Sequence, residues 1–143
     1  MASQPECDAS KLAAIGYCFG GTTVLELARS GADLKAVVGF HSGLGTSRPQ
    51  DAKNIKARIL TCIGAQDPII PAALRLAFET EMGEGRVDWR MNVYGGAGHS
   101  FTNPIVAALG MPGFEYHEAT DHRSWAQMID LFDETLGIVR GAT

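Results

Sequence analysis

The segment Gly16-Tyr17-Cys18-Phe19-Gly20-Gly21 sets a cysteine between glycines two residues before it and two residues after it. A nucleophile carried on a tight strand-to-helix turn needs small residues at those positions, because larger side chains collide with the neighbouring strand and helix. At a helix start the dipole favours thiolate over thiol, and a nearby imidazole adds to the effect. The competing reading is a cysteine buried at a strand end. Asp67, in Gln66-Asp67-Pro68, offers a carboxylate that can fix an imidazole in one tautomer and stabilise its charged form, although Asp before Pro is also an ordinary turn initiator. His99 lies in the glycine-rich run Gly95-Gly96-Ala97-Gly98-His99-Ser100-Phe101, either as a general base or as a solvated loop histidine. Joint occurrence in the chain order nucleophile, acid, imidazole favours thiol-based acyl transfer over three unrelated roles.

Each of the three follows an apolar run of strand length. Residues 12–15 form a short run closed by Gly16, and residues 22–29 then recur apolar at helical spacing through Val24, Leu25, Leu27 and Ala28. Residues 36–40 and 59–63 are continuous apolar runs, as in strands buried on both faces of a parallel sheet. After Pro71, the residues Ala73, Leu74, Leu76, Ala77 and Phe78 predict an apolar helical stripe running to about Met82, stopped by Gly83 and Gly85. Residues 87–94 alternate as a half-buried, peripheral strand. The last helix is predicted to be capped by Asp121 or Ser124 and to bury Trp125, Met128, Ile129, Phe132 and Leu136. Four strands alternating with helices predict one α/β domain over residues 1–143, a parallel sheet with right-handed crossovers and ligands beyond the carboxyl ends of its strands.

Composition narrows the function classes. The chain is 45% apolar and 20% charged, with a formal charge of -4 and a pI near 5.5, so it offers no basic footprint for nucleic acid or anionic membrane. Residues 1–10 lack the basic and apolar regions of a leader, and no run approaches a bilayer span, which sets the expectation of a cytoplasmic protein. Cys7, Cys18 and Cys62 are an odd number without disulfide-scaffold density or zinc-site pairing. The histidines His41, His99, His117 and His122 show neither an i, i+4 helical pair nor a HExxH arrangement, so no metal and no cofactor is expected.

GYCFGG at 16–21, TCIGAQDPIIP at 61–71, YGGAGHSFTNP at 94–104 and DHRSWAQMIDLFDETL at 121–136 together resemble the dienelactone hydrolases, an α/β-hydrolase family. The likeness is to the C-terminal half of such proteins and runs from about Asp8 to Leu136. The strands that precede the elbow in the family, with their second oxyanion N–H donor, have no counterpart here, so the expected fold is a shortened α/β-hydrolase sheet. The resemblance implies Cys18 as nucleophile, His99 as general base and acid, Asp67 as its orienting partner and the Phe19 N–H as one oxyanion donor. Tyr17, His41 and Asn103 are further candidates for substrate contacts. The family arginine four residues after the histidine is replaced by Asn103, which favours an ester, lactone or thioester other than a charged dienelactone. His41, His122 and Arg123 could line the site, although a loop histidine and an Arg-His pair in a first helical turn are more often surface residues. The expected activity is hydrolysis of a small ester or lactone; the alternative is an inactive hydrolase-like module that binds a ligand or partner. An exposed edge at residues 12–15 implies a homodimer.

Overall fold

The computed structural model describes residues 4, 5 and 7–137; the sequence reading of residues 1–10 falls partly outside them. Four strands, β1 (Ala13–Tyr17), β2 (Ala36–Phe40), β3 (Arg58–Gly64) and β4 (Trp89–Tyr94), form one parallel sheet in the order β1-β2-β3-β4. Among the described residues three α-helices accompany it, α1 (Phe19–Arg29), α2 (Ala72–Glu84) and α3 (Glu118–Leu136), with short 3₁₀ helices at Pro49–Asn54 and Val106–Leu109. The expected α/β architecture is therefore observed, with β2 in register with β3 from Ala36↔Arg58 to Phe40↔Cys62.

The strand period of two divides the core. Val37, Ile59 and Ile63 point to one face, where they pack with Leu25 and Ala28 of α1 and Phe78 and Met82 of α2. Ala36, Val38, Phe40, Leu60 and Cys62 point to the other, against Met128 and Leu131 of α3 and Phe101 of the histidine loop. Burying both faces explains why β2 and β3 read as continuous apolar runs.

The helices depart from expectation in detail. The apolar stripe of α2 is narrower than the sequence suggests: Leu76 is 64% exposed, while Phe78, Glu81 and Met82 are buried. Glu81 goes inside because Arg29 of α1, itself buried, donates from Nε and one terminal nitrogen to its two oxygens at 2.7 and 2.9 Å and also donates to the Leu44 carbonyl. Gly83 lies within α2, which ends one residue later with Gly85 as its cap. Helix α3 begins earlier than predicted, because His117 rather than Asp121 or Ser124 is the cap and accepts the Thr120 N–H through Nδ1 at 3.2 Å. Its buried residues are Thr120, Ser124, Met128 and Leu131, whereas Trp125 is 49% exposed.

The turn from β1 to α1 corrects the glycine reading in part. A Cβ on Gly16 would lie 2.2 Å from the Gly20 carbonyl oxygen, yet one on Gly20 would meet nothing within 4 Å. The second crowded position is instead Gly21, where a Cβ would stand 1.6 Å from Ser42 Oγ. Gly16→Ala should therefore cost about 1–3 kcal/mol or more through overpacking against backbone, and Gly20→Ala should stay within about 0.5 kcal/mol. Urea unfolding of the two variants reads that difference directly.

Candidate active site

The carboxyl ends of the four strands supply the site. Cys18 joins β1 to α1 with φ 50° and ψ -122°, a left-handed backbone that a non-glycine residue adopts only under constraint. Its N–H donates to the Phe40 carbonyl at 3.0 Å and its carbonyl accepts from Gly21 N–H at 3.0 Å, so the turn is held from both sides. This lifts the sulfur off the strand and sets it at the α1 N-terminus. Phe19 is the first residue of α1, and the N–H of a first helical residue has no acceptor within its helix.

Asp67 follows β3 and is buried. Its Oδ1 accepts the N–H groups of Ile69 and Ile70 at 2.8 and 3.2 Å, leaving Oδ2 for His99 Nδ1 at 2.7 Å. The two loops meet because Gly64 has no side chain: a Cβ there would stand 2.4 Å from the carbonyl oxygens of both Ala97 and Gly98. His99 is 6% exposed rather than solvated; its N–H donates to the Gly113 carbonyl at 2.7 Å and its ring lies against Phe114 at 4.8 Å between centroids. With Nδ1 tied to Asp67, the free nitrogen of His99 is Nε2.

The sulfur is nearest to two other groups. Cys18 Sγ lies 3.1 Å from His41 Nδ1 and 3.2 Å from Ser100 Oγ, while one ligating atom from each of Cys18, His41 and His99 falls within 4.8 Å of the others. His41, expected only as a substrate contact or surface loop residue, is buried with φ 40°; its Nε2 is 2.9 Å from Thr102 Oγ1 and its ring meets Phe101 edge-on. Sequence reasoning missed Ser100 and Thr102, and the only available signal was their closeness to His99 in the chain. Tyr17 stacks on Phe40 with ring centroids 4.8 Å apart and faces His41 at 6.0 Å, so it borders the site. Asn103 is exposed, and its Oδ1 accepts the Ile105 N–H, which makes it a turn-forming residue. His122 and Arg123 are exposed on α3.

Burial lowers the His41 imidazole to about 4, and the neighbouring His99 pushes in the same direction, so His41 is neutral near pH 7. The consequence for stability has a definite sign. Between its ordinary 6.5 and about 4 the unfolded chain binds a proton that the folded chain refuses, so stability falls as pH drops through that window. The contribution amounts to about 2 kcal/mol between pH 7 and pH 5. Urea unfolding at the two pH values should show this loss, and His41→Asn should show that much less. Cys62, beneath the site, is fully buried and burial pushes its thiol up to about 12, so it is a poor nucleophile.

Comparison with known proteins identifies the family and the fold. The model of the dienelactone hydrolase family matches residues 1–136. A solved structure of a dienelactone hydrolase-like promiscuous phosphotriesterase from metagenomic libraries is 44% identical, with a TM-score of 0.89 over 95% of this chain and 57% of its own. A structure called m3DLH is 52% identical, with a TM-score of 0.90 over 94% and 56%. Hydrolase tropI of Talaromyces stipitatus is 32% identical over 71% of this chain and 38% of its own. The chain thus spans little more than half the length of those solved structures. Among the described residues no helix is long and apolar enough to cross a membrane.

Proposed function

The chain belongs to the dienelactone hydrolase family, and from that premise we propose that its site hydrolyses a small ester or lactone through Cys18, His99 and Asp67. The observation that carries the reading is the pairing of a buried His99–Asp67 hydrogen bond of 2.7 Å with a cysteine sulfur within reach of the imidazole. In the resting arrangement the thiol faces His41 and Ser100. For attack the sulfur moves from these partners to His99 Nε2, which takes the proton as the sulfur attacks the carbonyl carbon. Asp67 holds Nδ1–H and stabilises the imidazolium that forms. The tetrahedral oxyanion accepts the Phe19 N–H, then collapses to a thioester as His99 returns the proton to the leaving oxygen. Water activated by His99 cleaves the thioester and frees the thiol.

Tyr17 and His41 border the acyl group in this reading, and the exposed Asn103 is the third proposed substrate contact. The free edge of β1, where Ile15 is 42% exposed, is the proposed contact between two copies. Hydrolysis of p-nitrophenyl acetate by the wild type and His99→Ala tests the mechanism: removal of the general base should lower turnover by about 10²–10⁴-fold. Equal rates would instead fit a hydrolase-like fold that binds a ligand without turning it over.

A further inference from the structure

We propose that the same sulfur, His41 and His99 form a binding site for a borderline-soft divalent cation, with Zn²⁺ as the fitting ion, that holds the nucleophile in an unreactive state. No spacing along the chain announces such a site, because its ligands come from the loops after β1, β2 and β4. Their convergence is the observation: Sγ and a ring nitrogen of each histidine lie within 4.8 Å of one another, and the Sγ–His41 Nδ1 separation is 3.1 Å. Tetrahedral zinc with bonds of about 2.0–2.3 Å sets neighbouring donors about 3.3–3.7 Å apart. Binding thus asks for an adjustment of about 1 Å by the His99 ring or the sulfur.

The groups behind the ligands strengthen the assignment. A histidine that binds a metal characteristically donates its other N–H to an oxygen, which fixes the tautomer and aims the free lone pair. Both imidazoles have that partner: His99 Nδ1 has Asp67 Oδ2 at 2.7 Å, and His41 Nε2 has Thr102 Oγ1 at 2.9 Å. The free nitrogens are therefore His99 Nε2 and His41 Nδ1, the latter 3.1 Å from the sulfur. Charge balances as well, since the Cys18 thiolate and the Asp67 carboxylate together neutralise a dication. On binding, the thiol proton leaves to solvent as the S–metal bond forms. Ser100 Oγ, 3.2 Å from Sγ, or a water completes the fourth position. Sulfur and nitrogen donors select against Mg²⁺ and Ca²⁺, which prefer oxygen.

Such a complex occupies the lone pairs that the proposed hydrolysis needs from nucleophile and base, so zinc should inhibit reversibly. The test reads binding rather than turnover, and a chain without esterase activity still answers it. Reduced protein in a Cys7→Ser background, which removes the other partly accessible thiol, is titrated with Co²⁺ and followed by thiolate-to-cobalt charge-transfer absorption, then with Zn²⁺ as competitor. One ion per chain is expected, with the band lost in Cys18→Ala. Thr102→Val, which leaves all three ligands in place, should weaken binding about 10-fold, and His41→Ala should weaken it more than the about 10–100-fold typical of an outer partner. Circular dichroism confirms that each variant is folded, and Thr102→Val decides the matter if His41→Ala is not. Absence of the band in the wild type, or equal affinities for the wild type, Cys18→Ala and Thr102→Val, would overturn the assignment.

Discussion

Cys18→Ala should lower ester turnover by about 10⁴-fold or more, down to the level of solvent and residual surface catalysis. The loss is expected to be this large because the thiol is the only described group that unites strained backbone, a helix N-terminus and two adjacent imidazoles. Cys62 cannot substitute, being fully buried with its thiol held protonated. Cys7 lies outside the cluster of sulfur and imidazoles. Cys18→Ser is informative beside it: the hydroxyl fits, but it lacks the acidity of a thiol, so a deep loss is expected there too. Steady-state assays with an activated ester check both variants. Turnover within a few-fold of wild type in Cys18→Ala would remove the sulfur from the mechanism.

The largest effect on stability is expected far from the sulfur. Glu81→Ala strands the Arg29 guanidinium, which is 2% exposed and otherwise bonded to Glu26 and the Leu44 carbonyl. Breaking the buried side of this pair leaves the guanidinium with only the half-exposed Glu26 carboxylate to balance it, a cost toward the lower end of the about 3–5 kcal/mol expected for an uncompensated buried charge. The pair joins α1 to α2 on the same side of the sheet. Replacing both partners by methionine should be much milder, because no charge is then left in the interior. Urea midpoints of the single and double variants measure this, and a double variant as unstable as Glu81→Ala would contradict the desolvation argument.

Much of this architecture was legible from the chain. Continuous apolar runs located β2 and β3, since burial on both faces removes polar alternation, and the boundaries of β2 agree residue for residue. Helix α3 was placed by its period, but its start was misjudged because a histidine nitrogen does the capping usually done by Asp or Ser. The burial of Glu81 was hidden for a different reason: a carboxylate reads as solvated until its buried arginine partner, 52 residues away, is known.

At the site, the convergence of Cys18, Asp67 and His99 at the carboxyl ends of the strands was readable because each follows an apolar run of strand length. His41 was undervalued, because its contact with Sγ depends on β1 and β2 lying side by side, which no local pattern encodes. Ser100 and Thr102 were missed for the same reason: their contacts to Cys18 and His41 span 82 and 61 residues. The stacking role of Tyr17 and the turn role of Asn103 likewise emerge only from packing.

The central claim, that Cys18 carries the acyl group between attack and release, is tested most directly by trapping. Wild type and His99→Ala are mixed with p-nitrophenyl acetate, quenched in acid and mapped by mass spectrometry. One acetyl group on Cys18 is expected, formed rapidly in the wild type and slowly in His99→Ala, where the thioester also persists longer. Ester hydrolysis by the wild type with no acetyl ever appearing on Cys18, or with the group mapped to another residue, would contradict it.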